Sequence, residues 1–406
     1  MTNSKAQPSQ ATRRARFALT AILLSMLAAP LLLTLATRLL RSETLERLVL
    51  APLTNNARPR PRPAPTLATW RSREFQREFE SWFASSLALR GPIVRATNQF
   101  YYSLFRRSHN VDLVVGREGT LYHVDHVRAH CEPRRPNPRA RLAPLIGKLV
   151  RLQPELERRK VPLVFVVSPS KAEHLAEFLP SIPCPSADEP HASTRLLLSL
   201  LRSANIPVVD GPGLIDAMKS RDPLPPFPRG GVHWSVLAGK RVASVLLGEA
   251  NRAAGADFGS IVLGEPSWNN APGPRDRDLA MVLNIWRPDP DYLVGDATLD
   301  CRTTRQGQRT QLIAVGGSFL GILFDALSEC KTFEQITQYF YYTQLRVDWP
   351  TRYSGVSRAK LDWNVMLDER TLLVLELNQF FMERDHAFLH LFLDDALAAL
   401  QRPTAD

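Results

Sequence analysis

Two short segments carry the residue types that acyl-transfer chemistry uses. The first is VGGSFLG, residues 315–321, where an apolar run ends in two glycines and then Ser318. A serine at a strand-to-helix turn can act as a nucleophile. Main-chain N–H groups at a helix N-terminus stabilise the oxyanion that its attack creates. Gly317 joins it as a source of such backbone support, because glycine permits a sharp turn. An ordinary helix-capping serine has the same local pattern. The second segment is RGGVHWSVLAG, residues 229–239, with His233 in a glycine-rich loop ahead of a helix. A neutral imidazole within reach of a serine hydroxyl is a general base. A histidine packed against Trp234 for purely structural reasons would read the same way. His123, His126 and His130 cluster near Cys131, but their spacing matches no strong metal-ligand pattern. No metal and no cofactor is assigned.

These segments need elements to hold them. Residues 161–167 (VPLVFVV), 206–210 (IPVVD), 312–315 and 371–377 (TLLVLEL) are short apolar runs, typical of strands buried on both faces. Residues 111–115 read as a further strand, followed by a tight turn at 116–119 (GREG). Residues 70–87 place Phe75, Phe79, Trp82, Phe83 and Leu87 at helical spacing, and these aromatics are expected in a core. Residues 98–105, 235–250, 321–329 and 386–400 also read as helix. Strands alternating with helices imply an α/β, three-layer fold with a mostly parallel sheet. In such sheets ligands bind beyond the carboxyl ends of the strands, where Ser318 falls. The stretches 133–144 (PRRPNPRARLAP) and 264–274 read as loops.

The N-terminus sets the expected compartment. Arg13, Arg14 and Arg16 precede an uncharged stretch over 17–37, about the length that crosses a bilayer. The arginines favour a cytoplasmic N-terminus, with the remainder outside. A cleaved signal peptide is the rival reading, and both export the rest of the chain. The expected division is a cytoplasmic N-terminus over 1–16, a transmembrane signal-anchor over 17–40, a Pro/Arg-rich linker over 41–66 and one folded domain over 67–406. Four cysteines, Cys131, Cys184, Cys301 and Cys330, include no CxxC pair and allow three disulfide pairings. The net charge of +11 favours anionic partners such as acidic glycans or lipid headgroups. No helix-turn-helix, zinc-finger or RNP pattern supports nucleic acid as a partner.

Six segments, in common order between about residues 73 and 378, resemble the SGNH-hydrolase-like family of alginate O-acetyltransferases, the AlgJ/AlgX type. EFQREFESWFASSLALRGPIV (74–94) is similar to the family's opening acidic-aromatic helix. DLVVGREGTLY (112–122) is similar to its glycine turn, and VVSPSKAEHLAEFLP (166–180) to the segment after a central strand. GVHW (231–234) stands where the family has Asp-x-His-Trp, GGSF (316–319) where it has the nucleophile turn, and VLELN (374–378) at its last strand. The resemblance implies that Ser318 is the nucleophile and His233 the base. It also implies a polysaccharide acceptor and a membrane-embedded acetyl-donor protein, in a periplasmic domain tethered to the inner membrane. One departure is plain: the family's aspartate, two residues before the histidine, is Gly231 here. Asp276, Asp278 and Glu376 are the candidate replacement acids, and Asn284 is a candidate oxyanion-hole amide. Two other readings share these residues. One is an acetyl-esterase with the same pair. The other, favoured by Gly231, is a non-catalytic glycan-binding or assembly subunit of an export complex.

Overall fold

The computed structural model describes residues 10–40, 43, 53–54, 62–181, 184, 191–254, 257–288, 292–302, 310–347, 352–384 and 386–401. The chain divides into two compact units. One is Met1–Asn110 with Met281–Pro288, and the other is Val111–Ala280 with Asp289–Asp406. Residues 67–110, expected inside the folded domain, therefore fall in the unit that holds the N-terminal helix. Most of the expected linker lies outside the described residues.

The first unit is helical. Helix α1 (Gln10–Leu40) contains an apolar stretch, Arg16–Thr37, long and apolar enough to cross a membrane. Helices α2 (Leu67–Arg71), α3 (Glu74–Ser86) and α4 (Arg90–Phe105) follow. The α3 aromatics do not form the expected core: no residue of α3 is buried. They instead line up against one another, Phe75 to Phe79 at 5.7 Å and Phe79 stacked on Phe83 at 5.9 Å. Residues 281–288 return to this unit. Asn98 donates from Nδ2 to the Leu283 carbonyl at 2.8 Å, and Gln99 Oε1 accepts from the Arg287 N–H at 2.8 Å.

The second unit is a layered α/β domain. Its strands are β1 (Leu113–Val115), β2 (Leu121–His123), β3 (Leu163–Ser168), β4 (Val208–Asp210), β5 (Ser260–Leu263), β6 (Ser267–Asn269) and β7 (Val294–Asp296). They continue with β8 (Leu299–Arg302), β9 (Gln311–Gly316), β10 (Gln335–Phe340), β11 (Gln344–Val347), β12 (Arg352–Gly355) and β13 (Thr371–Asn378). Seven of them form one sheet in the order β12-β11-β10-β9-β13-β3-β4. The run from β10 to β4 is parallel throughout; β11 and β12 are an antiparallel extension at one edge.

The two-residue period of a strand explains how continuous apolar runs serve two cores at once. In β3, Leu163, Phe165 and Val167 join one cluster while Val164 and Val166 join the other. In β13, Leu373, Leu375 and Leu377 face the first cluster, and Leu372 and Val374 the second. Helices α6 (Pro138–Arg158), α8 (Ala192–Ser203) and α14 (Ala387–Leu400) cover the first face. Helices α9 (Gly211–Arg221), α10 (Val236–Ala254) and α12 (Leu320–Glu329) cover the second. Shorter helices α5 (Val124–Cys131), α7 (Lys171–His174), α11 (Asp278–Val282) and α13 (Trp363–Met366) complete the set used below.

Two loop expectations are corrected. Helix α6 begins at Pro138, inside the stretch read as loop, because proline is compatible with the first helical turn, where its missing N–H is no loss. Strand β6 lies inside 264–274 and pairs with β7. The cysteines form Cys131–Cys184 and Cys301–Cys330. Each closes a loop whose unfolded freedom it restricts. Replacing Cys330 with serine is expected to lower the unfolding free energy by about 3 kcal/mol, measured by urea denaturation. Reductant should have no further effect through that pair in the variant.

Candidate active site

The site forms at the carboxyl end of β9 and the loops beside it. Strand β9 ends at Gly316, and Ser318 follows two residues later, ahead of α12. Neither Gly316 nor Gly317 adopts positive φ, so the glycines are not there for left-handed backbone. Space requires them. A Cβ at Gly316 would lie 2.6 Å from Glu376 Cβ, and one at Gly317 would lie 2.6 Å from Tyr341 Oη.

His233 sits in the loop before α10, 85 residues upstream, and its Nε2 is 2.7 Å from Ser318 Oγ. Trp234 fixes this approach. Its ring is fully buried among the residues of α10 and α12, and its Nε1–H donates to the Phe319 carbonyl at 3.1 Å. The histidine loop is thereby tied to the serine turn one residue beyond each reactive side chain. Phe319 also packs edge-on to the His233 ring at 4.8 Å.

The other imidazole nitrogen, His233 Nδ1, is 2.5 Å from Asp278 Oδ2. Asp278 opens α11, and its second oxygen accepts from the N–H groups of Val232 at 2.9 Å and Leu279 at 2.8 Å. Burial raises the pKa of this carboxyl. The His233 hydrogen bond and charge, with the Val232 and Leu279 N–H groups, outweigh burial and hold it below the usual carboxylate range. Asp278 is therefore an ionised acceptor that fixes which imidazole nitrogen carries the proton.

The other candidate acids do different work. Asp276 accepts from the Val236 N–H at 3.2 Å, which caps α10, and its main-chain oxygen accepts from the Tyr292 hydroxyl at 2.5 Å. Burial pushes its carboxyl up to about 6. Glu376 lies beneath the serine turn, where it accepts from the Ser168 hydroxyl and from the Gly317 N–H at 2.6 Å. Burial raises this carboxyl as well. The Gly317 N–H is thus occupied, which corrects the expectation that it serves an oxyanion. Asn284 is corrected too. Its side chain is spent on the Thr54 N–H at 2.8 Å, the Thr54 carbonyl and the Val282 carbonyl, all in the helical unit or at its edge.

Three residues passed over in the sequence support this arrangement. The Tyr341 hydroxyl lies against the serine turn, where a Cβ at Gly317 would meet it, and burial raises its phenol pKa. Gln338, buried on β10, donates to the Gly317 carbonyl at 2.7 Å. Lys171 is fully buried, and its Nζ reaches four carbonyls: Leu121 at 2.8 Å, Pro228 at 2.7 Å, Arg229 at 3.0 Å and Gly231 at 2.7 Å. It binds the histidine loop to β2, although burial lowers its pKa to about 7. The lysine stands in the SPSK segment, but only the fold shows that four carbonyls converge on it. The histidine cluster separates onto different partners. His126 Nδ1 lies 3.0 Å from Ser170 Oγ and its ring stacks on Phe380 at 4.8 Å, while His130 Nδ1 lies 3.4 Å from Glu173.

A serine, an imidazole and a carboxylate joined in this order on a parallel α/β sheet is the arrangement that serine-dependent acyl hydrolases and transferases use. Residues 113–289 match the family described as ALGX: SGNH hydrolase-like domain, acetyltransferase AlgX. Over that segment the chain is similar to SGNH hydrolase-like acetyltransferase domains. The segment contains His233 and Asp278; Ser318 lies beyond its end. No curated protein matches the chain. Among solved structures, it is similar to the O-acetyltransferase domain of Pseudomonas putida AlgJ, at 16% identity and a TM-score of 0.44, covering 71% of this chain and 99% of that one. Pseudomonas aeruginosa AlgX gives 14% identity and a TM-score of 0.40, over 67% of this chain and 63% of that one. Bacillus cereus PatB1 gives 10% identity and a TM-score of 0.39, over 68% and 98%.

The Asp276 environment yields a pH-dependent prediction. Its folded pKa is raised, so the folded state holds the proton more tightly than the unfolded chain. The stability this gives is complete below the ordinary value and is lost as pH rises through about 6. Asp276→Asn keeps the cap acceptor and removes the ionisation. Its thermal midpoint should exceed that of the parent at about pH 8 and match it at about pH 4.

Proposed function

We propose that this protein is an O-acetyltransferase that carries acetyl on Ser318 and delivers it to hydroxyls of an exported polysaccharide. The observation that carries the reading is the Ser318–His233–Asp278 chain, with contacts of 2.7 and 2.5 Å. His233 takes the Ser318 proton on Nε2 as Oγ attacks the acetyl carbonyl of the donor. The leaving group departs with that proton, and Ser318 holds the acetyl as an ester. An acceptor hydroxyl then gives its proton to His233 and attacks the ester carbonyl, which restores Ser318. Asp278 keeps the imidazole oriented and offsets the charge it gains in each half. The Ser318 N–H, at the start of the turn into α12, and the Tyr341 hydroxyl, which lies against that turn, are the proposed oxyanion donors.

Further support comes from three features. The family model matched over 113–289 is of acetyltransferases. Helix α1 has the length and apolarity of a membrane span, which suits a domain held at the outer face of the inner membrane beside a membrane-embedded acetyl donor. Two disulfides suit an oxidising compartment, and the +11 charge suits an acidic polymer. The non-catalytic reading drew on Gly231. The Asp278 carboxylate, 2.5 Å from His233 Nδ1, supports the catalytic reading instead.

The test is intact-mass spectrometry of the full chain with a chromogenic acetyl ester, then with oligosaccharide acceptors. An acetyl adduct is expected on the parent protein and absent from Ser318→Ala and His233→Ala. An unreactive but folded parent protein would sink the proposal. Asp278→Asn should lower kcat roughly ten-thousand-fold. Adding Gly231→Asp to that variant should not restore it, because a Cβ there lies 2.8 Å from Pro228 Cγ and 3.1 Å from the Asp276 carbonyl. Tyr341→Phe should cost about a hundred- to a thousandfold in kcat, read by steady-state kinetics.

A further inference from the structure

Helix α4 is amphipathic in the reverse sense to a core helix. Its buried residues are Gly91, Asn98 and Tyr102, two of them polar. Its outward stripe is apolar: Ile93, Phe100 and Leu104 are 55, 55 and 64% exposed. These positions follow the i, i+7, i+11 spacing of one helical face. Phe105 and Trp286, the latter on the segment held by Gln99, are each 55% exposed. Exposed Arg106, Arg107 and Arg287 border this surface.

The loop before α4 gives the height of this stripe. The Ala88 N–H donates to Thr34 Oγ1 at 2.9 Å. Thr34 lies inside the apolar stretch Arg16–Thr37, three residues before its end. At the rise of an α-helix that is about 5 Å inside the boundary of the span. Ala88 itself is 1% exposed, so the contact is packed. A helix that starts at this depth and turns an apolar face outward has the depth and polarity of an interfacial helix, whose apolar side sits about 5–10 Å into the headgroup–acyl boundary. Arginines at its end can extend to lipid phosphates while their stems remain in the apolar zone.

We propose that α4 lies in the lipid–water boundary of the bilayer that α1 crosses, with Ile93, Phe100 and Leu104 in contact with acyl chains. The inference rests on α1 being a membrane span. It adds a second, lateral attachment that restrains the unit against rotation about a single helix.

The test uses the full chain in lipid nanodiscs. All four cysteines are disulfide-bonded, so a single introduced thiol can carry an environment-sensitive fluorophore. Leu104→Cys and Phe100→Cys report on α4, Leu24→Cys on the middle of α1, and Val150→Cys, on α6, is a solvent-facing reference. Lipids carrying a quencher near the headgroup should remove most of the emission at positions 104 and 100 and little at 150. Lipids quenched near the chain end should remove most at 24. Emission at 104 and 100 equal to that at 150, with 24 still quenched, would overturn the interfacial helix and leave α1 as a span. That result would assign the stripe to a protein partner or a second copy. Loss of quenching at 24 would overturn the span itself, and the inference with it.

Discussion

A carboxylate that orients an imidazole must itself be held, and the second unit is arranged around that requirement at Asp278. One oxygen accepts two backbone N–H groups, and only the other faces His233. One of those N–H groups belongs to Val232, the residue before the histidine. The same side chain therefore sets the position of the histidine loop and the direction of the ring. Further bonds close the two loops on each other. The Ala280 N–H donates to the Gly230 carbonyl at 2.9 Å, and the Tyr292 hydroxyl accepts from the Gly230 N–H and donates to the Asp276 carbonyl. Lys171 draws in the remaining carbonyls of the loop from below. With so many fixed partners, the imidazole has little freedom to leave its 2.7 Å contact with Ser318.

The sheet and the two segments that bring Ser318 and His233 together were legible because both depend on short-range patterns. Continuous apolar runs such as LVFVVS and TLLVLELN have few outcomes other than strands buried on both faces, and both are buried throughout. The glycine pair before Ser318 and the His-Trp dipeptide are local as well. Their explanations differ in part from the sequence argument. The glycines answer to contact with Glu376 and Tyr341 rather than to backbone handedness, a distinction no window around residue 317 contains.

What the sequence left open is long-range or polar. Asp276 and Asp278 stand two residues apart in one charged segment, and nothing local separates them. One caps α10 and the other reaches a histidine 45 residues away. Strand β10, QITQYF, escaped because half of its residues are polar, yet it is a fully paired strand beside β9. Its polar positions are explained by the turn it supports. Gln338 is there to satisfy the Gly317 carbonyl, not to fill a core. The α3 aromatics misled in the opposite direction. Their helical spacing is real, but they pack on one another and remain partly exposed.

These polar exceptions share a location. Ser168 on β3, Glu376 and Asn378 on β13, and Gln338 on β10 all sit at carboxyl-terminal ends of parallel strands, and all are nearly or fully buried. Asn378 donates to Ser168 at 2.9 Å, Ser168 donates to Glu376, and Glu376 accepts from the serine turn at Gly317. Beneath Gly317 the apolar core therefore gives way to polar side chains. These side chains form a hydrogen-bonded layer. A layer of this kind is a poor source of stability, since burying a carboxylate and amides offsets much of what their bonds contribute. Its value lies in direction. Two of its bonds, Glu376 with the Gly317 N–H and Gln338 with the Gly317 carbonyl, fix main-chain groups of the turn that carries Ser318. The raised pKa of Glu376 is the electrostatic trace of that choice: an acid left in the core to hold a loop, while the acid that meets the imidazole stays ionised at its edge.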